Sequence, residues 1–278
     1  MSGAVVRRLP DGRLHMHHGP IDIIAQCWGD PAAVTTAETS AARRFDTVLA
    51  ELADELTELR REGGQPQSVI GQRMARATAA FHPAFITPMA AVAGSVAEEI
   101  LTSLAQPGVR RAYVNNGGDI ALHLEPGESL TCAVAGLHAM AARVTVQAGD
   151  AVRGIATSGW RGRSWSFGIA DSVTVLAKSA AMADAAATMI ANAVTLGDHP
   201  AISHRPAHDL QAESDLGARP VTVDVGPLTA AEVATALSAG EAVALHHKSA
   251  GRIEAAALFL HPDHRTVGSI ALEEMPLA

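Results

Sequence analysis

The sequence predicts a mixed α+β fold with a largely antiparallel sheet and packed helices. Three features point there: a long amphipathic helix pattern near the start, a central run of short strand patterns separated by glycine turns, and an alanine-rich helix followed by further strands. A length of 278 residues accommodates one domain or two intimate lobes spanning 1–278.

Leu14–His18 and Ile21–Cys27 read as strands joined through Gly19-Pro20. Ala41–Glu62 reads as a helix because Phe45, Val48, Leu49, Leu52, Leu56 and Leu59 recur at three- and four-residue steps, with Gly63-Gly64 as its stop. Further helices are expected over Ser68–Phe81 and Pro88–Leu104. The latter carries Ala90, Ala93, Gly94 and Ala97, a face small enough to admit another backbone or a second copy of the chain. Strand patterns follow at Ala112–Asn115, Asp119–Leu124, Leu130–Val134, Arg143–Gln147, Val152–Thr157 and Val173–Leu176, then a helix at Ala180–Ala193. Residues 199–218 are polar and too long for an ordinary connection, which suggests an irregular loop or lid. The remainder reads as strand Val221–Val225, helix Thr229–Ser238 and strands Ala242–His246, Ile253–Leu260 and Val267–Leu272. Thr229 and Glu232 have capping-box spacing.

Composition narrows the function. Hydrophobic residues make up 48% of the chain but aromatic residues only 3%, so Ala, Val, Ile and Leu must build the core. Two cysteines, Cys27 and Cys132, exclude a disulfide scaffold or a cysteine-based zinc module. A net charge of −8 and few aromatics argue against nucleic acid, which needs clustered cations and stacking platforms. No apolar window approaches the roughly 18 residues of a membrane span, and no signal-peptide core follows the first residues. The expectation is a cytoplasmic protein with no membrane partner.

Three constellations could carry chemistry. Asn115-Asn116-Gly117-Gly118-Asp119 is either a tight hairpin or a glycine turn whose amides approach a ligand, with Asp119 aimed into the site; the two are compatible. Thr157-Ser158-Gly159 ends a strand with two hydroxyls and flexible amides. Arg161 and Arg163 follow as a local positive patch, suited to phosphate or carboxylate or else simply solvated. Asp184 and Thr188 stand at i and i+4 on an otherwise small and apolar helix. An ionised carboxylate there needs a partner, and oxygen-only ligation suits magnesium; a dipole-favouring acid in the first turn is the plainer alternative. His15 and His17 share a strand face but lack a third ligand of suitable spacing, as do His246-His247 and His261/His264, so solvated or hydrogen-bonded histidines are expected.

In this order, Asn116-Gly117-Gly118-Asp119-Ile120, Ala156-Thr157-Ser158-Gly159 and Ala183-Asp184-Ala-Ala-Ala-Thr188 resemble the ApbE family of flavin transferases. Gly154–Asn192 is more similar still to the UPF0280 branch of that superfamily. The likeness covers about Pro88–Gly197 well and the rest only as overall organisation. It implies an ApbE-like, T-fold-like architecture and magnesium dependence, with FAD as substrate. Members of the family cleave FAD and transfer FMN through a phosphoester to a Thr or Ser of an acceptor protein, and some hydrolyse FAD to FMN and AMP. It also implies a metal held by Asp184, Thr188 and the carbonyl of Ala90, with Asp119 and Asp184 catalytic. Asn116, Gly117, Gly118, Asp119, Thr157, Ser158, Gly159, Arg161 and Arg163 would then surround the nucleotide. The chain departs from the pattern in two places. Ala93-Gly94 stands where the family has Lys-Gly, and Ser166–Asp171 replaces a His-x-x-Asp-Pro segment in shortened form. A second expectation therefore stands beside the first: a diverged member that has lost flavin transfer and binds or converts another small metabolite.

Overall fold

The computed structural model of the chain describes residues 3–134, 140–269 and 273–276. In chain order it forms β1 (Val5–Arg8), β2 (Leu14–His18), β3 (Ile21–Gly29), α1 (Pro31–Asp54), α2 (Leu56–Leu59) and α3 (Val69–Ala79). A 3-10 turn at Pro88–Ala91 leads into α4 (Val92–Leu104). Then come β4 (Val109–Asn116), β5 (Asp119–Leu124), β6 (Ser129–Val134), β7 (Met140–Gln147), β8 (Gly154–Ser158), β9 (Ser172–Ala177) and α5 (Ala180–Ala193). The rest is β10 (Ile202–Pro206), α6 (Ala207–Leu210), β11 (Pro220–Val225), α7 (Ala230–Ser249), β12 (Ala255–Leu260), β13 (Asp263–Val267) and β14 (Glu273–Pro276). The α+β class and the antiparallel sheet expected from the sequence are both present.

The backbone divides into two compact units. The first holds Met1–Thr131, Thr145–Ala156 and Lys178–Asp184, and the second Cys132–Val144, Thr157–Ala177 and Ala185–Ala278. In the first, β1 to β5 pair antiparallel in sequence order, and β8 joins β5 through Ile120↔Ile155 and Ala121↔Gly154. Strand alternation then decides which side chains share a face. Met16 opposes Ile23, Ile23 opposes Asn116, and Asn116 opposes Asp119, while Leu14, Ala25, Val114, Ala121 and Gly154 continue the same face. Helices α1 and α4 cover this sheet, burying Phe45, Val48, Ile100 and Leu104 with it. Arg44 and Arg73 both bond Glu99, at 2.8 and 3.0 Å, and so tie α1 and α3 to α4.

In the second unit β9, β12 and β13 form an antiparallel sheet on which α7 packs. Helix α7 can lie close because Gly240 has no side chain; a Cβ there would stand 2.4 Å from Val194 Cγ2 and 2.8 Å from Leu258 Cδ2. Strand β10 pairs with β11, and β14 with β7.

Several boundaries differ from the sequence expectation, each for a local reason. Helix α1 starts well before Ala41 because Asp30 caps it, its Oδ1 accepting from Ala32 N and Ala33 N, with Pro31 at the first position. It ends at Asp54, where Glu55 turns its carboxylate to the amides of Gln67 and Ser68 at 2.6 and 2.7 Å. The strand expected at Ala242–His246 is instead the second half of α7. The Thr229/Glu232 capping box starts that helix, and no residue that forbids helix intervenes. Within 199–218 the structure holds a short strand and a helical turn, β10 and α6, rather than an irregular loop throughout. The strand expected at Val267–Leu272 sits earlier, as β13 at Asp263–Val267; residues 270–272 lie outside the described residues. Among the described residues no helix is long and apolar enough to cross a membrane.

Helix α7 also carries a buried titratable group. His247 is 6% exposed, and its Nδ1 accepts from Arg252 Nη1 at 3.1 Å. Burial first, then the charge of Arg252, lowers its pKa from 6.5 to about 4. The unfolded chain therefore binds a proton that the fold excludes. Stability should fall as pH drops from about 6.5 towards 4, by up to about 3 kcal/mol from this residue. His247→Gln, which still accepts from Arg252 but does not titrate, should flatten that limb in thermal unfolding measured across this pH range.

Candidate active site

The β4–β5 turn is a two-residue hairpin. Asn116 pairs with Asp119, and Gly117 and Gly118 hold φ of 65° and 117°, which only glycine adopts without strain. Asn115 Oδ1 accepts from Gly118 N at 2.8 Å and closes it. Because Asn116 and Asp119 belong to the helix-covered face, they are buried, at 8% and 7% exposure. Asn116 Nδ2 donates to the Ala93 carbonyl at 3.1 Å, anchoring the turn to the first residues of α4.

Helix α5 brings the third element. Two glycines let its first turn come close: a Cβ on Gly94 would lie 2.2 Å from the Ala180 carbonyl oxygen, and one on Gly154 2.2 Å from Ala180 N. Glu98 Oε1 accepts from Ala181 N at 2.8 Å and fixes the same turn. One turn on, Asp184 Oδ2 accepts from Gly94 N at 3.0 Å, and its carboxyl meets that of Asp119. Burial first, and the Asp119 charge second, push the Asp184 carboxyl well above the usual carboxylate range; the amides of Gly94 and Ala93 oppose this. No cationic side chain is among the main groups acting on Asp184. The small face of α4 is thus filled within the chain at Gly94 by Ala180, and it does not serve there as a surface for a second copy.

The structure therefore brings together Asn116, Gly117, Gly118, Asp119 and Asp184. Ala90 stands in the 3-10 turn three residues before Ala93, and Thr188 lies four residues beyond Asp184 on α5. Among the described residues no group of three or more His, Cys, Asp or Glu forms a metal-ligand cluster. The expected ligand set has a single carboxylate from Asp184, with a hydroxyl and a carbonyl. Two buried carboxyls in contact, without a cation among the main groups acting on Asp184, fit a hard divalent ion bound through oxygen.

A family model described as "AbpE bacteria" matches residues 6–271. The chain belongs to this ApbE-like family. Among curated proteins it is similar to UPF0280 proteins. That of Methanococcus vannielii is 43% identical over 116 residues, 38% of this chain and 45% of the relative. That of Methanothrix thermoacetophila is 37% identical over 132 residues, 45% of this chain and 52% of the relative. The chain spans about half the length of these relatives. Among solved structures, the apo form of Pseudomonas stutzeri flavinyl transferase ApbE aligns with a TM-score of 0.40 and 14% identity, over 96% of this chain and 95% of that one.

The remaining sequence candidates of this ApbE-like chain lie in the second unit. Thr157 Oγ1 bonds Thr174 Oγ1 at 2.8 Å. Gly159 is needed for close approach, since a Cβ would lie 2.5 Å from the Asp171 carbonyl oxygen. Arg161 is not a loosely solvated cation: its Nε donates to Asp171 Oδ1 at 2.7 Å. Arg163 is exposed. Two contributors escaped sequence reading. The Gly94 amide has no residue-level signature, and Asp171 could have been found only as a carboxylate inside an apolar strand entry. Of the histidines, His15 is hydrogen-bonded to Asp22 at 2.6 Å and to Arg7 at 3.0 Å, whereas His18 Nδ1 is buried without a hydrogen-bond partner.

Because the Ala180 backbone blocks both glycines, Gly94→Val and Gly154→Val should each destabilise the protein by about 2 kcal/mol or more, as overpacking against backbone does. Both act on one backbone segment, so the double variant should fall short of additivity in denaturant unfolding.

Proposed function

We propose that this chain is a magnesium-dependent enzyme acting on a flavin or another phosphate-bearing nucleotide. Its sharpest form is FMN transfer from FAD to a Thr or Ser of an acceptor protein in the cytoplasm. The observation that carries the reading is the buried Asp119–Asp184 pair, held against the amide of Gly94 beside a two-glycine turn. Membership of the ApbE-like family supports it.

Asp184, Thr188 and the Ala90 carbonyl would hold the ion, which when bound supplies positive charge against a pyrophosphate. The residues of the chain do the rest. Asn116 fixes the backbone at Ala93, and with it the Gly94 amide that orients Asp184. The Gly117 amide, with no side chain beside it, would approach the phosphates, while the Gly118 amide holds the turn closed on Asn115 Oδ1. Asp119 would take the proton from an attacking hydroxyl.

A second reading has its own support. Ala93 replaces the family lysine, and the His-x-x-Asp-Pro segment is absent. Both favour a diverged member that has lost flavin transfer and binds or converts another small metabolite.

Incubating the protein with FAD, magnesium and a Thr-containing acceptor should release AMP and yield flavinylated acceptor. Asp119→Asn should lower that rate by about 100-fold or more if it is the base. Absence of FMN and of flavinylated product across several acceptors would overturn the transferase form. A thermal shift with a small metabolite that is not a nucleotide would then favour the second reading.

A further inference from the structure

The loop between β8 and β9 concentrates an unusual set of side chains. Two of the chain's three tryptophans, Trp160 and Trp165, lie within six residues of each other with Arg161 and Arg163 between them. Trp165 is 37% exposed. The guanidinium of Arg161 stacks on the Trp160 ring at 4.5 Å, and its Nε donates to Asp171 Oδ1 at 2.7 Å. Asp171 is itself fixed, its Oδ2 accepting from His261 N at 2.8 Å, and its side chain is 4% exposed while that of Arg161 is 50% exposed.

This arrangement immobilises Arg161 from below and from one edge. Among the described residues its Nη1 and Nη2 make no hydrogen bond, so the outer edge of the guanidinium, with its parallel N–H donors, faces outward in a fixed pose. The other arginine stacked on a tryptophan is different. Arg111 lies 4.6 Å from the Trp28 ring, but its Nη1 is engaged by Ser129 O at 3.1 Å and by Glu128 at 3.6 Å. The same cluster around Arg161 also holds an orphaned donor, as Trp160 Nε1 is buried without an acceptor.

We propose that Arg161 is the recognition residue of an anion site in the second unit, taking a small-molecule carboxylate or phosphate oxygen pair in bidentate fashion on its Nη edge. The site does not depend on magnesium or on the acidic pair. Pairing with Asp171 cancels most of the long-range charge, so recognition rests on fork geometry rather than on steering. Weak affinity and a strong preference for Arg over Lys follow. Arg163, exposed on the same loop, adds a second positive charge.

The test titrates inorganic phosphate and, separately, succinate into the full chain without divalent metal, read by calorimetry and by tryptophan fluorescence. The two probes distinguish a phosphate from a carboxylate ligand, and saturable millimolar binding of either supports the site. Arg161→Lys keeps the charge and should weaken binding by about tenfold, the worth of a bidentate contact. Arg161→Gln should abolish it, while Arg163→Gln should change it by less than about threefold, as for a single exposed charge. Thermal unfolding reports whether Asp171 tolerates the changes. If Arg161→Gln does not fold, Trp160→Leu, which removes the shelf and keeps the charge, should still weaken binding. Unchanged binding in Arg161→Lys, equal losses in the Arg161 and Arg163 variants, or no saturable binding of either anion to the wild-type chain would overturn the proposal.

Discussion

The close approach of the α5 backbone to two glycines sets everything else in the first unit. Gly94 on α4 and Gly154 on β8 each leave room for the Ala180 peptide and nothing larger. That approach fixes the first turn of α5, and a fixed first turn places Asp184 within reach of the Gly94 amide. Sheet register supplies the opposing half. On one face the rung Leu14, Ala25, Val114 and Ala121 is apolar throughout, and the next, Met16, Ile23, Asn116 and Asp119, turns polar at its last two strands. A polar end on a face covered by helices is costly unless it is used, and two carboxyls meeting there cost more.

This explains why a chain so rich in small residues is built as it is. Ala and Gly are not only core filler here. They let backbone stand where side chains would otherwise be, and backbone amides are the donors that hold the acidic centre. In the second unit, Gly159 and Gly240 serve close packing in the same way. The scarce aromatic residues are spent locally, with two tryptophans on the loop that carries Arg161.

Much of this was legible beforehand, and the failures have physical reasons. Periodicity and glycine turns placed β5 and α5 at their observed limits, and the Thr229/Glu232 spacing marked the start of α7. Asp184 stood out because a carboxylate among alanines demands a partner. Propensity failed where tertiary context decided: Ala242–His246 has no strong preference, and continuing the capped helix over β12 and β13 won. What could not be read were contacts made by backbone or across distant sequence, such as the Gly94 amide on Asp184 or Asp171 under Arg161. The family resemblance supplied the order of the constellations; the geometry supplied which of them meet.

We propose that Asp184, beside Asp119, is the carboxylate of a divalent-cation site. This is tested most directly by the thermal stability of the wild-type chain and of Asp184→Asn, with and without magnesium, at neutral pH. Burial and Asp119 penalise the ionised Asp184, so the metal-free asparagine variant, which still accepts from Gly94, should unfold at a higher temperature than the wild type. Magnesium should raise the wild-type midpoint and leave the variant unmoved. An equal magnesium shift in both proteins, or none in the wild type, would contradict it.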